Sequence, residues 1–188
     1  TFRWLRIIGL SLVLVFVGTD AVLTRLRSTD WERPLWVVIY PINGDDSNVS
    51  ANYIRHLDVD TFAPISRFFE REMERYGRKL HTPIKFKLHP EVTVKPQEPP
   101  KDGSIFKIIF WSLRLRYWAY RVDRMDDQLP EDIRIFVLYH DPATHDVLDH
   151  SLGLQKGLIG VVKAYSSQGM GARNNVVIAH EMLHTVGA

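Results

Sequence analysis

The sequence predicts an α/β domain built on one mixed sheet, and three observations carry that expectation. Short β-branched and aromatic runs alternate with stretches of helical spacing, in the order strand, helix, strand, helix, strand, strand, helix. The 188 residues are 45% hydrophobic and 24% charged, which suits one globular core rather than a disordered or fibrous chain. Cysteine is absent, which removes disulfide frameworks, thiol nucleophiles and thiolate metal ligands together. Any bound metal must therefore sit on nitrogen or oxygen.

The most apolar stretch is residues 7–17, preceded by Arg3 and Arg6 and followed by Asp20. It is short for a bilayer span. About 20 apolar residues are reached only by counting from Phe2 to Leu23, with the two arginines snorkelling. A basic start before an apolar run of this length predicts an N-terminal membrane anchor or signal segment over 1–24, although no A-x-A-like cleavage site follows. A buried helix of the fold is the second reading. Arginines stand on both sides of the run, so the charge count does not fix an orientation. Residues 25–33 read as a polar linker, and 34–188 as the folded domain.

Within that domain, 35–40 is an unbroken β-branched and aromatic run closed by Pro41, Asn43 and Gly44, the pattern of a buried strand ending in a turn. From Ile65 the apolar positions Phe68, Phe69, Met73 and Tyr76 keep helical spacing, with Asp60 or Thr61 as cap and Gly77 as stop. Residues 84–88 alternate as a half-buried strand, and 91–103 carry Pro96, Pro99 and Pro100 as a loop. A helix over 104–125 is dense in aromatics, with Lys107, Arg114 and Arg121 recurring every seven residues. It reads first as a core helix with a solvated basic face, and second as a helix lying on a membrane surface. Residues 133–139 and 158–165 are two further strands. With no helix between them they are expected to pair antiparallel.

Charge excludes one class of function. Lys and Arg number 24 against 22 Asp and Glu, a net charge of +2, which does not suit a dedicated nucleic-acid binder. The chain also lacks a Gly-rich phosphate loop and a G-x-S-x-G elbow.

The final helix, from about residue 174, carries His180, Glu181 and His184 as an H-E-x-x-H pattern. Residues four apart share a helix face, so both imidazoles can meet one cation at about 2.0–2.1 Å. Glu181, one position round, is placed to take a proton from water beside that cation. A shuffled chain of this composition shows the pattern in roughly 1–2% of cases. The plain alternative is two histidines that merely share a turn. Val176, Ala179, Leu183 and Val186 are expected to form the apolar stripe on the other side.

With Gly187, these residues match in place the signature H-E-x-x-H-x-x-G-x-x-H, and the sequence resembles the metzincin branch of the zincin metallopeptidases. The resemblance implies Zn2+ held by His180 and His184, with Glu181 as general base in peptide hydrolysis. It places a third ligand at position 190, past Ala188, along with a methionine turn that Met170 is too early to supply. It further implies a metzincin-like N-terminal subdomain: a mixed, mostly parallel sheet with an antiparallel edge strand and an active-site helix. Residues 158–165 take the edge strand's place in this order, which makes Ile159, Gly160 and Val161 candidates for pairing with an extended peptide. A gluzincin would instead draw a Glu from a later helix. An intramembrane protease is set aside, because Arg173, Asn174 and Asn175 open the helix.

Two further groups are candidates for cations. Asp141, His145, Asp146, Asp149 and His150 crowd one loop, which is first an ordinary polar loop and second a structural cation site. Asn43 to Asp46 reads as a turn before a calcium loop, because EF-hand spacing is missing. Asn48 and Ser50 fit a glycosylation acceptor. The expected function is a membrane-anchored or exported zinc metallopeptidase acting on a peptide or protein substrate, its domain extracytoplasmic. The expected partners are that substrate and, through the N-terminal segment, a membrane, but no nucleic acid. The alternative is a non-catalytic anchored binding module on the same fold.

Overall fold

Residues Leu35–Asn43 form an interior strand, β1, and its alternation sets the layers of the molecule. Val37 and Ile39 enter one core, while Val38, Tyr40 and Ile42 enter another on the opposite side of the sheet. A strand buried on both faces has no polar side to alternate, which is why this run reads as continuous hydrophobicity. The computed structural model describes residues 31–78, 80–100, 104–123, 131–148, 151–154 and 158–186, with positions 3, 4, 6–12, 15 and 19 near the start.

Four more strands complete the sheet: β2 (Ile84–Leu88), β3 (Ile133–His140), β4 (Leu152–Leu154) and β5 (Ile159–Tyr165). Their order is β2-β1-β3-β5-β4. β1 is parallel to β2 and β3, and β3 is parallel to β5; β4 alone runs antiparallel, against β5. The α/β class and the mostly parallel sheet with one antiparallel edge strand are thus as expected. The pairing of β3 with β5 is not. Residues 141–158 lie between them, long enough for a crossover, and β4 within that segment takes the antiparallel place.

The helices are α1 (Asn48–Arg55), α2 (Ala63–Arg75), α3 (Ile105–Asp123) and α4 (Gly171–Val186). Ile54 of α1, Ile65 and Phe69 of α2, and Ile178, Met182 and Val186 of α4 join Val37, Ile39 and Ile135 in one core. Ala119 and Val122 of α3 join Val38, Tyr40, Ile42 and Phe136 on the other face. The result is a three-layer sandwich. The cap of α2 is Phe62, past the expected Asp60 or Thr61, because Asp58 starts a 3-10 turn at Val59–Phe62 and Pro64 then stands in the first helical turn. Gly77, at φ +67°, ends it.

α3 covers the sheet by a narrow stripe only. Leu115, Ala119 and Val122 are buried, and the Trp118 ring lies 4.5 Å from that of Phe136. Phe106, Phe110 and Tyr117 are instead 85%, 62% and 64% exposed, so most of the aromatic density read as core faces outward. The expected anchor over 1–24 is described only at scattered helical, exposed positions, and residues 25–30 of the linker lie outside the described residues. Among the described residues, no helix is long and apolar enough to cross a membrane.

Candidate functional site

Two buried asparagines set the orientation of α4. Asn174 accepts from the Tyr165 N–H at 3.0 Å and donates to the Tyr165 carbonyl at 2.8 Å, fastening the first turns of the helix to the end of β5. Asn175 donates to the Thr61 carbonyl at 2.8 Å. With both amides and Ile178, Met182 and Val186 turned inward, the exposed side of the helix is fixed. Val176, expected on the apolar stripe, is 70% exposed, and the buried face instead runs through Ile178, Met182, Thr185 and Val186. The polar asparagines on that face hid its phase from a reading based on hydrophobicity.

The exposed side carries His180 and His184. Their Nε2 atoms are 3.0 Å apart, with ring centroids 4.4 Å apart and planes at 81°. Two nitrogens bound tetrahedrally at 2.0–2.1 Å to one zinc ion stand roughly 3.3 Å apart, so these donors already lie near ligand spacing. Glu181 is 7% exposed. Its carboxylate faces β4: an ideal Cβ on Gly153 would lie 3.2 Å from Glu181 Oε2, and 2.7 Å from both the Glu181 carbonyl oxygen and the His184 Cβ. Only a glycine lets the edge strand come this close. Among the described residues that carboxylate has no hydrogen-bond or ion-pair partner. Gly187 lies outside the described residues.

Ile159, Gly160 and Val161 do not form a sheet edge. They are paired with Arg134, Ile135 and Phe136 on one side and with Leu154, Gly153 and Leu152 on the other, so their main chain is closed to an added strand. The edge expected at 158–165 is β4, whose outer side ends the sheet. Leu152-Gly153-Leu154 is too short for a periodicity argument. Its one signal was the glycine between apolar residues, the mark of a close backbone approach.

The loop after β3 is rearranged relative to expectation. His145 joins Asp45 and His140, with one possible ligand atom from each lying within 4.8 Å of the others. Asp141 caps its own turn instead, its Oδ1 accepting from the Ala143 N–H at 2.9 Å. Asp149 and His150 lie outside the described residues. Burial pushes the His140 imidazole below its ordinary pKa; His145 adds to this, Asp45 opposes it, and Lys163 and Lys95 push it down a little further. For Asp45, burial favours protonation. The N–H groups of Asp141 and Ser47, with the Ser47 and Ser50 hydroxyls, outweigh it and hold the carboxyl well below the usual carboxylate range.

Asn43, expected in a turn, is the last residue of β1, and the chain bends after it at Gly44 and Asp45. Asp45 Oδ1 accepts from the Ser47 N–H at 3.0 Å, and the Ser47 hydroxyl caps α1 through the Ser50 N–H at 3.0 Å. A concavity of about 780 Å³ lies between α1 and the segment after β5, lined by Asn52, Tyr53, His56, Ser166 and Gln168 among others. It does not include the H-E-x-x-H residues. Comparison of the chain with known protein families, curated proteins and solved structures finds no match.

Proposed function

We propose that this protein is a zinc-dependent metallopeptidase, with His180 and His184 as metal ligands and Glu181 as the general base. One observation carries the reading: two Nε2 atoms converge at 3.0 Å on the helix that bears Glu181, whose carboxylate no described residue engages. The donor set suits zinc, which favours imidazole nitrogen and whose catalytic sites keep a position open. When bound, zinc would polarise a scissile carbonyl and ease deprotonation of water. Glu181 then takes the proton from the attacking water and returns it to the departing amide nitrogen.

The edge strand supports a peptide substrate. Gly153 packs on Glu181 and His184, so an extended chain added to the outer side of β4 runs beside the two imidazoles. The basic and apolar N-terminal residues fit attachment to a membrane or export, with the domain outside the cytoplasm. A second reading, a non-catalytic anchored binding module, draws on the exposed apolar face of α3.

Cleavage of a quenched peptide library by the full chain separates the two. The peptidase requires that Glu181→Gln retain zinc yet lose cleavage by at least a hundredfold, and that His180→Ala lose zinc and activity together. Cleavage at the parent rate by the Gln variant would falsify the role of Glu181.

A further inference from the structure

We propose that Asp45, His140 and His145 form a second site, for a divalent transition-metal ion, clamping the loop after β1 to the loop after β3. The site shares no residue with the helix motif. His140 pairs with Tyr165 in the sheet, whereas Gly153, which packs on Glu181, pairs with Gly160. Five residues of β5 separate those rungs, roughly 17 Å along the strand.

The ligands are brought together by strand register. Asn43 of β1 stands opposite Tyr139 of β3, so the two strands release their chains side by side at their carboxyl ends, with Asp45 just beyond one and His140 at the tip of the other. His140 is 9% exposed, and neither of its ring nitrogens has a hydrogen-bond partner. A buried imidazole left in that state loses about 1–3 kcal/mol for each unmet group. A cation meets the lone pair directly.

The neighbours of His140 are shaped to keep it there. A Cβ at Gly44 would fall 2.6 Å from His140 Nε2 and 2.7 Å from its Cε1, so residue 44 must be glycine for the ring to occupy this position. Asp45 is fixed as a ligand would be. The Asp141 N–H donates to its Oδ2 at 2.6 Å and the Ser47 N–H to its Oδ1 at 3.0 Å, which orients the carboxylate. His145 completes the set from the more exposed side, its Nδ1 3.9 Å from Asp45 Oδ2 and 2.9 Å from the Thr144 hydroxyl.

Ligand atoms on one such ion stand at most about 4 Å apart. The present spread of up to 4.8 Å therefore closes by a small movement. The His145 side chain, 40% exposed, is free to make it. Two imidazoles and a carboxylate select zinc, iron(II) or cobalt(II) over calcium or magnesium, which prefer oxygen alone. Lys95 is a nearby cation, but its ammonium is committed to the Asp46 carboxylate at 2.6 Å and the Gly44 carbonyl at 3.0 Å.

The test uses the full chain carrying both His180→Ala and His184→Ala, so that the helix motif contributes no metal. Titration with cobalt(II) should give one equivalent per chain with a visible absorption band, and zinc should displace it and raise the melting temperature. Adding His145→Ala, at the exposed lip, should weaken cobalt binding at least tenfold, as should His140→Asn. If His140→Asn does not fold by circular dichroism, His145→Ala decides alone. The proposal is overturned if the double variant takes up no cobalt, or if His145→Ala binds it as tightly as its parent. Because the helix motif is already disabled, neither outcome bears on the peptidase reading, which stands or falls on Glu181→Gln.

Discussion

Gly153 and Glu181 are in direct backbone contact across the gap between the edge strand and the final helix, with room for a hydrogen and nothing larger. A Cβ at Gly153 would meet the Glu181 carbonyl oxygen at 2.7 Å. Gly153→Ala must therefore push β4 off α4, at an expected cost of about 1–3 kcal/mol. Gly171→Ala is the control, since nothing lies within 4 Å of its Cβ and its φ is helical. Urea unfolding should show a lower midpoint for the first and an unchanged or slightly higher one for the second.

Asn174 holds both polar groups of the Tyr165 main chain. Replacing it by Ala leaves the buried Tyr165 N–H unmet, while the carbonyl keeps the Ser167 N–H at 2.9 Å, and stability should fall by about 1–3 kcal/mol. Leu at this position is no remedy, because the missing partners are polar. Equal stability of Asn174→Ala and the parent in thermal scans would contradict the proposed fastening of the helix.

The face of α4 can be checked with two aliphatic truncations that look alike on paper. Ile178 is fully buried and Val176 is 70% exposed. Ile178→Ala should cost about 2–5 kcal/mol, while Val176→Ala should stay within about 0.5 kcal/mol of the parent. The reverse ranking would restore the stripe expected from hydrophobicity alone.

Burial pushes the Tyr139 phenol well above its ordinary pKa, and the nearby Tyr53 adds to the shift. Burial raises Tyr53 as well, against a smaller opposing effect of Asn174. The unfolded chain therefore loses these protons near pH 10 while the folded one keeps them. Their stabilising contribution is fully present below pH 10 and is lost as pH rises above it. Urea midpoints at pH 9 and pH 11 should differ less in Tyr139→Phe than in the parent.

Strands buried on both faces were legible because apolar residues fill nearly every position of them, as in 35–40 and, past Arg134, in 135–139. His180, Glu181 and His184 were legible because five residues of one helix carry all the geometry they need. β4 was not, since three residues offer no period and its place depends on Gly153 meeting a helix formed later in the chain. Nor was α1, whose buried residues are only Ser50 and Ile54. The grouping of Asp45 with His140 was beyond reach for a different reason. It follows from the pairing of β1 with β3, and a parallel register leaves no local trace in either strand.

That parallel arrangement also governs how the chain must fold. β1 is flanked by strands that begin at Ile84 and Ile133, with Leu35 opposite Ile84 and Val37 opposite Ile133. One edge of β1 can meet β2 once Leu88 is made, but on a ribosome the other edge stays unpaired until residues Ile133–His140 have emerged. Such long loop closures slow the nucleation step into the millisecond-to-second range and leave a sticky apolar ribbon waiting for its partners. Stopped-flow refolding and dependence on a chaperone during synthesis are where that delay should register.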